Sequence, residues 1–438
     1  MDEAEIVVDV EATQLSKSIQ RKLDTLWGEP NETENFTIFR APRHIHQCKN
    51  NFFNPSVISI GPFHHGQASL RAMEEKKWLF LRDFLSCGDH ISLDICIAEM
   101  KLLEERTRRC YSEMVYHKSN RFVEMMLLDG CFVLQYFLNN ESRLQSIFGW
   151  KSQFILNDLL LLENQIPFFV VEKLFKIGIK QNNITDFVHT IIGTIDSGPT
   201  GHPLIRKPPV QIHHLAHLYH HCSFAIPDGS FPCLASQSFS MAFPNSTGGL
   251  SEFVIPCATE LQDAGIKFIP KSNPRHMLDI SFDQGVMEIP RQLISGDTKP
   301  RLVNLVALEQ CELPETEMLT SLTSFAIFMD SLINTQKDAM ILQQCGIIQN
   351  YLSSEEELTN FFNQVGDGTV LRTHFLAELF TKVNKYCESC WNRQRAKMVR
   401  DYFSSPWAAI SLVAALVLLV LTCVQSFFAV YAYYVPPS

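Results

Sequence analysis

Histidines recur in one short segment at a spacing that could place several imidazoles on one side of a helix. Residues 213–222 read HHLAHLYHHC, with a histidine at every fourth position, namely His213, His217 and His221. Residues four apart share a helical face, and neutral imidazoles are common zinc ligands. The spacing therefore predicts a candidate metal site. The favoured alternative is a partly exposed helix without metal, because no carboxylate or cysteine completes the ligand set on that face.

A second group of histidines lies near the N-terminus. Residues 43–48 read RHIHQC, and residues 61–66 read GPFHHG. A cysteine close to a histidine can act as an activated nucleophile, which makes Cys48 and its neighbouring histidines a second candidate. The sequence offers no orienting acid for this pair. The favoured interpretation is a loop that packs Phe63 inward and lets the histidines bond to the backbone.

Signatures of well-known enzyme classes are absent from the chain. It has no phosphate-binding loop ending in Gly-Lys-Ser/Thr, no G-x-S-x-G, no H-E-x-x-H and no protein-kinase motif set. Cys387 and Cys390 form a single C-x-x-C without the second pair that a zinc site needs. We therefore assign no catalytic residue and no cofactor from the sequence, and consider an enzymatic activity less favoured than its absence.

The C-terminal segment is long, apolar and uncharged. No Asp, Glu, Lys, Arg or His occurs between Pro406 and Val435. The stretch from Trp407 to Val430 has 24 residues, or about 36 Å as a helix, against a hydrocarbon thickness of about 30 Å. Tyrosines follow it at the end where amphipathic rings prefer the membrane interface. The sequence thus predicts a transmembrane helix at residues 406–434.

Basic residues just before this segment indicate an orientation. The positive-inside rule keeps the basic side in the cytosol, and the upstream positive charges are Lys382, Lys385, Arg393, Arg395, Lys397 and Arg400. The start of the chain lacks the pattern of a secretory signal. We therefore expect a single-pass, tail-anchored protein with a cytosolic N-terminal domain. The length of the span favours the thicker plasma membrane over the endoplasmic reticulum.

Composition limits the class of partner. The net charge is −10, which argues against a nucleic acid, because such binding rests on the neutralisation of phosphates. The one basic concentration precedes the apolar segment, where each Lys or Arg adds roughly 1 kcal/mol of attraction to anionic lipid. The expected partners are therefore membrane lipid and an unknown protein. The 13 scattered cysteines suit a reducing compartment.

The hydrophobic pattern predicts a mainly helical fold with a small β element. Alternation at 264–294, with a tight turn at Asp283-Gln284-Gly285, indicates a β-hairpin and a neighbouring strand as the only sheet. Residues 1–37 form a variable N-terminal segment, and residues 38–400 form one large domain that begins loop-like at 38–66. Loop-rich insertions are expected at 178–211 and 223–250. The predicted helices are 13–27, 69–137 with a break at 86–90, 152–165, the histidine-rich segment and several within 301–400.

Several stretches together resemble one known family. They are SIGPFHHG at 59–66, Met73-Glu74-x-x-Lys77, LDGCF at 128–132, DLLLLENQIP at 158–167, ATELxxAG at 258–265, GVMEIP at 285–290, NLVALEQC at 304–311, WNR at 391–393 and DYFxxPWA at 401–408. Over about residues 38–434 the chain resembles the plant family designated domain of unknown function 247. The resemblance implies a plant protein with one C-terminal span and no established enzymatic activity.

Polar residues within these motifs are the remaining candidates for a site. Buried Glu163, Asn164 or Gln165 would need hydrogen-bond partners, and we expect them to hold the loop at 61–66, with Asp129 accepting a similar bond. We interpret them as scaffold. The alternative is a ligand pocket lined by these four residues together with His64 and His65.

The favoured function is that of a tail-anchored, cytosol-facing interaction, signalling or recognition protein. The alternative is an unrecognised membrane-bound enzyme or a metal-binding protein that uses its histidines. A third hypothesis is a lipid-tethering module that acts through the basic residues before the span, Arg393, Arg395, Lys397 and Arg400.

Overall fold

The structure is a computed structural model of the 438-residue chain. It describes residues 15–17, 19–20, 36–49, 52–88, 90–139, 141–179, 183–196, 208–224, 254–274, 277–311, 320–371, 375–388 and 406–434. Of the predicted helix at 13–27, the structure describes residues 15–17 and 19–20, which are helical, and the insertion at 223–250 lies almost entirely outside the described residues.

Helices dominate the described part of the chain, as predicted. In chain order they are α1 Arg43–Lys49, α2 Arg71–Leu85, α3 Leu93–Arg109, α4 Ser119–Leu138, α5 Glu141–Phe148, α6 Ser152–Leu159, α7 Phe168–Gly178, α8 Ile184–Asp196, α9 Leu215–Phe224, α10 Ala258–Asp263, α11 Thr298–Cys311, α12 Ser321–Leu332, α13 Gln336–Gln344, α14 Glu355–Val365, α15 Ala377–Glu388 and α16 Pro406–Tyr434.

Helix α4 is the centre of the N-terminal half. It is apolar on all sides, and nearly every residue from Phe122 to Phe137 is buried. A helix without a polar face must be covered all round, and α2, α3, α7 and α8 pack against it. Asp129 is therefore enclosed in the core at the middle of α4, where only an internal partner can satisfy its carboxylate.

Five short strands form two small sheets. They are β1 Lys267–Pro270, β2 Ser281–Asp283, β3 Val286–Ile289, β4 Gln292–Ile294 and β5 Ile348–Asn350. The predicted hairpin is present, since β2 pairs antiparallel with β3, and β1 adds to β3 in parallel. Its turn places Gln284 and Gly285 at φ of 44° and 81°. The expectation of a single sheet was wrong, because β4 pairs in parallel with the distant β5.

Three predicted segments differ in the structure. Helix α1 lies in the predicted loop at 38–66. Its first turn begins after Pro42, whose carbonyl oxygen accepts from the N–H groups of Ile45 and His46. Proline is compatible with the start of a helix. Helix α8 lies within the predicted insertion at 178–211 and buries an i, i+4 series. Residues 110–118 interrupt the predicted helical run between α3 and α4.

The helix predicted for 152–165 ends early, at Leu159. Side-chain amides explain the stop: Asn164 Nδ2 donates to Asp158 O at 2.8 Å, and Gln165 Nε2 donates to Leu159 O and Leu161 O at 2.8 and 2.7 Å. Such local bonds compete with the helical ladder for backbone carbonyls. Residues 160–166 therefore form a compact turn before Pro167 and α7.

The C-terminal apolar segment forms α16, of 29 residues. Some of its side chains lie outside the described residues. Within the part of the chain that the structure describes, we find no helix with the length and hydrophobicity that crossing a membrane requires. The predicted transmembrane helix is thus not confirmed. The basic residues Arg393, Arg395, Lys397 and Arg400 lie outside the described residues, as does Cys390.

Candidate functional site

The loop at 59–66 is held to the core by two side chains that accept from its backbone. Asp129 Oδ2 accepts from Gly61 N at 2.8 Å, and Asn164 Oδ1 accepts from Ile60 N at 2.6 Å. Gly61 has φ of +76°, and a Cβ there would lie 2.3 Å from Gln165 O. Glycine permits both this left-handed conformation and the close backbone approach. The loop therefore lies directly on the turn at 160–166.

Asp158 binds the chain that leads into this loop. Its carboxylate accepts from the N–H groups of Ser56, Val57 and Ile58 at 2.9, 2.6 and 2.9 Å. Burial raises the pKa of Asp158 to about 6, although the three donated bonds favour its ionised form. Asp158 thus acts as a backbone cap for residues 100–102 positions before it in the sequence.

A buried ion cluster supports the same loop from α2. The Lys77 ammonium, which is fully buried, donates to Asp129 Oδ1 at 2.5 Å, Glu74 Oε1 at 2.7 Å and Ser59 O at 2.6 Å. Burial raises the pKa of Asp129, and the Lys77 charge opposes that rise. Ser59 Oγ also donates to Glu74 Oε1. Two carboxylates share one cation here, so each of the three groups depends on the others.

Glu163 is the centre of a second polar cluster. It is 1% exposed, and accepts from Arg40 Nη1 at 2.8 Å and from Ala41 N at 3.0 Å. Arg40 also donates to Glu113 at 2.8 Å and lies 4.4 Å above the Phe63 ring. This carboxylate therefore joins the N-terminal end of α1 to the turn at 160–166.

The two loop histidines face different clusters. His64 Nε2 lies 3.8 Å from Glu163 Oε2, and His65 Nδ1 lies 3.7 Å from Glu74 Oε2. Neither nitrogen has a hydrogen-bond partner among the described residues. Burial, with a smaller effect of the Arg40 charge, lowers the pKa of His64 to about 4, and burial also lowers that of His65. Both imidazoles are therefore neutral at neutral pH.

The structure brings together most residues that the sequence singled out as a possible pocket. Asp129, Asn164 and His64 meet around the loop at 59–66, with Glu163 and Gln165 on the adjoining turn, while His65 turns toward Glu74. Lys77, Asp158 and Arg40 were missed as members, although each occurs within or beside a quoted motif. A cavity of about 350 Å³ lies elsewhere, between α11 and α14, and none of the predicted pocket residues borders it.

The polar side chains of this arrangement already bond to other groups of the protein. The Asp129, Asp158 and Glu163 oxygens accept backbone N–H groups, while the Asn164 and Gln165 amides bind carbonyls. Buried polar groups satisfied in this way add rigidity, and none of these carboxylates is left with the solvent access that a substrate would require. The geometry is that of a scaffold around a fixed surface loop.

The histidine-rich helix α9 is largely buried. His217 Nδ1 lies 3.4 Å from His213 N, and His214 Nδ1 accepts from His217 N at 3.2 Å. His220 Nε2 lies 2.8 Å from the buried Glu309. Within the described ranges, no set of three or more His, Cys, Asp or Glu residues is arranged to hold a metal ion. A site at His213, His217 and His221 thus gains no support from the structure.

These buried histidines predict acid sensitivity. Burial lowers the pKa of His214 to about 3, against 6.5 for the free group. Because protonation favours the unfolded chain, the stability that neutral His214 provides is present above pH 6.5 and is lost as the pH falls toward 3. We expect the stability difference between the wild type and His214→Gln to shrink by about 2 kcal/mol from pH 8 to pH 5.

Denaturant unfolding at each pH would measure this change. His44→Gln serves as the control, because His44 lies on the exposed side of α1 and meets water in both states. If the free energy of unfolding changed equally with pH in the wild type and in His214→Gln, protonation of His214 would not be linked to unfolding as expected.

Comparisons with known proteins agree on one family. The chain is 28% identical to the UPF0481 protein At3g47200 of Arabidopsis thaliana over 421 residues, which cover 91% of this chain and 87% of that protein. It is 20% identical to the putative UPF0481 protein At3g02645 of the same plant, over 95% and 94% of the two chains. No solved structure matches. A family model described as plant protein of unknown function matches residues 38–421. The chain therefore belongs to the plant family designated domain of unknown function 247.

Proposed function

We propose that this chain is a tail-anchored, single-pass membrane protein whose large domain faces the cytosol and recognises a protein partner without catalysing a reaction. The observation that carries the proposal is the use of the buried polar residues. Asp129, Asp158 and Glu163 bind backbone N–H groups of residues 41, 56–58 and 61. These bonds fix the loop at 59–66, of which residues 62, 63, 65 and 66 are partly or fully exposed. A rigid, pre-organised surface lowers the entropic cost of binding a partner.

The membrane part of the proposal rests on the sequence. Residues 406–434 lack any charged side chain, and the residues before them are basic, which is the pattern of a span with its N-terminal side in the cytosol. Anionic lipid at the cytosolic leaflet would attract Arg393, Arg395, Lys397 and Arg400. The length of the apolar stretch favours the plasma membrane.

Topology can be tested with a glycosylation acceptor added after Ser438. In plant microsomes, the proposal expects glycan on this C-terminal tag, carbonate-resistant membrane association, and complete protease access to the domain at 38–388. The matched control is the same tagged chain without residues 406–434, which should be neither glycosylated nor membrane-bound. A full chain that is released by carbonate would refute the anchor, and a protease-protected domain would refute the orientation.

Partner recognition can be tested by proximity labelling from the full chain. The control is the labelling enzyme fused to residues 389–438 alone, which carries the proposed anchor and its basic approach without the domain. The proposal expects proteins that are labelled only when the domain is present. Identical labelled sets from the two fusions would contradict a recognition role for the domain.

A further inference from the structure

The cavity of about 350 Å³ beside α14 is bordered by two rows of side chains from that helix. Residues four apart lie on one helical face. The first row is partly or fully buried, and consists of Glu357, Phe361 and Val365. The second row is exposed, and consists of Glu356, Asn360 and Gln364. The buried row therefore lines the inner part of the cavity, and the exposed row forms its rim.

Two apolar side chains outside α14 complete the inner lining. Val303 of α11 is buried, and Phe52 is partly buried. Together with Phe361 and Val365 they make the inner part hydrophobic. Small-molecule sites in proteins usually have a volume of about 300–1,000 Å³ and an apolar lining with a few polar groups. The cavity beside α14 has both properties.

Charged side chains hold the cavity at both ends of α14. At the first turn of that helix, Lys299 Nζ of α11 donates to Glu357 Oε1 at 2.5 Å. At its last turn, Lys49 Nζ of α1 donates to Val365 O at 2.8 Å and to Asp367 O at 3.2 Å. These bonds fix α1, α11 and α14 around the cavity. A pre-formed site avoids the entropic cost of ordering its walls when a ligand binds.

The described lining residues carry no net charge, because two lysines and two glutamates cancel. Lys299 and Glu357 pair with each other, and Lys49 binds backbone carbonyls. Glu356 lies exposed on the rim, where an ion pair contributes only about 0–1 kcal/mol. A charged ligand would thus lose hydration in the cavity without a buried counter-charge to replace it.

The rim supplies two side-chain amides. Those of Asn360 and Gln364 lie one helical turn apart, and they make no hydrogen bond within the part of the chain that the structure describes. Each amide can both donate and accept. An aromatic ring that lies against Phe361 gains favourable ring–ring contact, and its polar edge would then meet these amides.

We propose that the cavity beside α14 binds a small, uncharged aromatic compound that carries a hydrogen-bond donor and an acceptor on one edge. The ring of this compound contacts Phe52, Val303 and Phe361, and its polar edge binds the amides of Asn360 and Gln364. The ligand site goes beyond the protein recognition proposed above and does not depend on it, since the loop at 59–66 does not border the cavity.

Three probes that share an indole ring test the preference for an uncharged ligand. At neutral pH indole-3-acetamide is uncharged, indole-3-acetate is an anion and tryptamine is a cation. Titration of the full-length chain in detergent, followed by saturation-transfer NMR with empty micelles as background, should show saturable binding of the acetamide. The two charged probes should bind at least about tenfold more weakly. Absence of acetamide binding, or a charged probe that binds as tightly, would overturn the proposal.

Substitutions at the rim and in the lining locate the bound probe. Asn360→Ala combined with Gln364→Ala removes two amides at exposed positions, and should weaken acetamide binding about tenfold, as expected for two lost hydrogen bonds. Val303→Phe should abolish binding by filling the cavity. Gln344→Ala is the matched control, because this exposed amide of α13 lies outside the cavity, and it should bind the acetamide like the wild type. Unchanged affinity in the double variant, with its fold verified by circular dichroism, would place the probe elsewhere and overturn the proposal, even if Val303→Phe failed to fold.

Discussion

Replacing Lys77 by methionine should lower the free energy of unfolding by about 3–5 kcal/mol, the usual cost of removing one partner from a buried ion pair. Among the residues that the structure describes, the Lys77 ammonium is the only cation bonded to Asp129, and it also binds Glu74. Without it, Asp129 keeps one donated bond, from Gly61 N, and two carboxylates face each other without a counter-charge. Equilibrium denaturation of the full chain in detergent, followed by tryptophan fluorescence, would measure the change.

Two further variants distinguish the loss of the buried ion pair from a nonspecific effect of replacing a lysine. Lys77→Met combined with Asp129→Leu should be more stable than Lys77→Met alone, because the uncompensated buried charge is gone. Lys176→Met removes an exposed i, i+4 pair with Glu172, and should change stability by less than about 0.5 kcal/mol. A loss below about 1 kcal/mol for Lys77→Met would mean that the cluster contributes little to folding.

Asp158→Ala should cost a similar amount, about 3–5 kcal/mol. The substitution removes the acceptor of three backbone N–H groups at 56–58, two of which are fully buried, and a buried donor without an acceptor costs about 1–3 kcal/mol. The same denaturation experiment would report it. Because these bonds position the loop at 59–66, limited proteolysis should also cut the variant near Pro55.

Asp158→Asn is the matched comparison for this position. Its amide oxygen can still accept from the N–H groups of Val57 and Ile58, so we expect less than half of the loss seen with alanine. Equal losses for the two variants would show that the negative charge, and not the capping of the backbone, stabilises this region.

The sequence predicted those elements that are determined by residues close together in the chain. The hairpin follows from Asp283-Gln284-Gly285. In the region 301–400, where helices were predicted, α14 begins after Ser354, whose side chain accepts from Glu357 N as a helix cap. The early end of α6 was missed, because the apolar run at 159–162 is compatible with a helix. Only the amides of Asn164 and Gln165, folded back onto the carbonyls before them, decide against it.

The sequence predicted only some of the residues in the polar clusters, because burial depends on contacts between distant parts of the chain. Glu163 and Asn164 follow an apolar run, which indicates burial and hence a need for partners. Lys77 lies among charged residues of α2, although its spacing from Met73 and Phe80 places it on the apolar face of that helix. Its burial follows from α4 packing over that face, which involves residues about fifty positions later in the chain.

Hydrogen bonds between residues that lie far apart in the sequence have a consequence for synthesis. Lys49, on α1, donates to Val365 O at 2.8 Å, across 316 positions of sequence, and Asn304 Nδ2 donates to Phe52 O at 2.7 Å across 252 positions. At about 5–20 residues per second, translation needs roughly a quarter of a minute to one minute to supply the second partner of the longer bond. Through that interval α1 has left the ribosome without the carbonyl that Lys49 binds, so this contact forms only after α14 emerges.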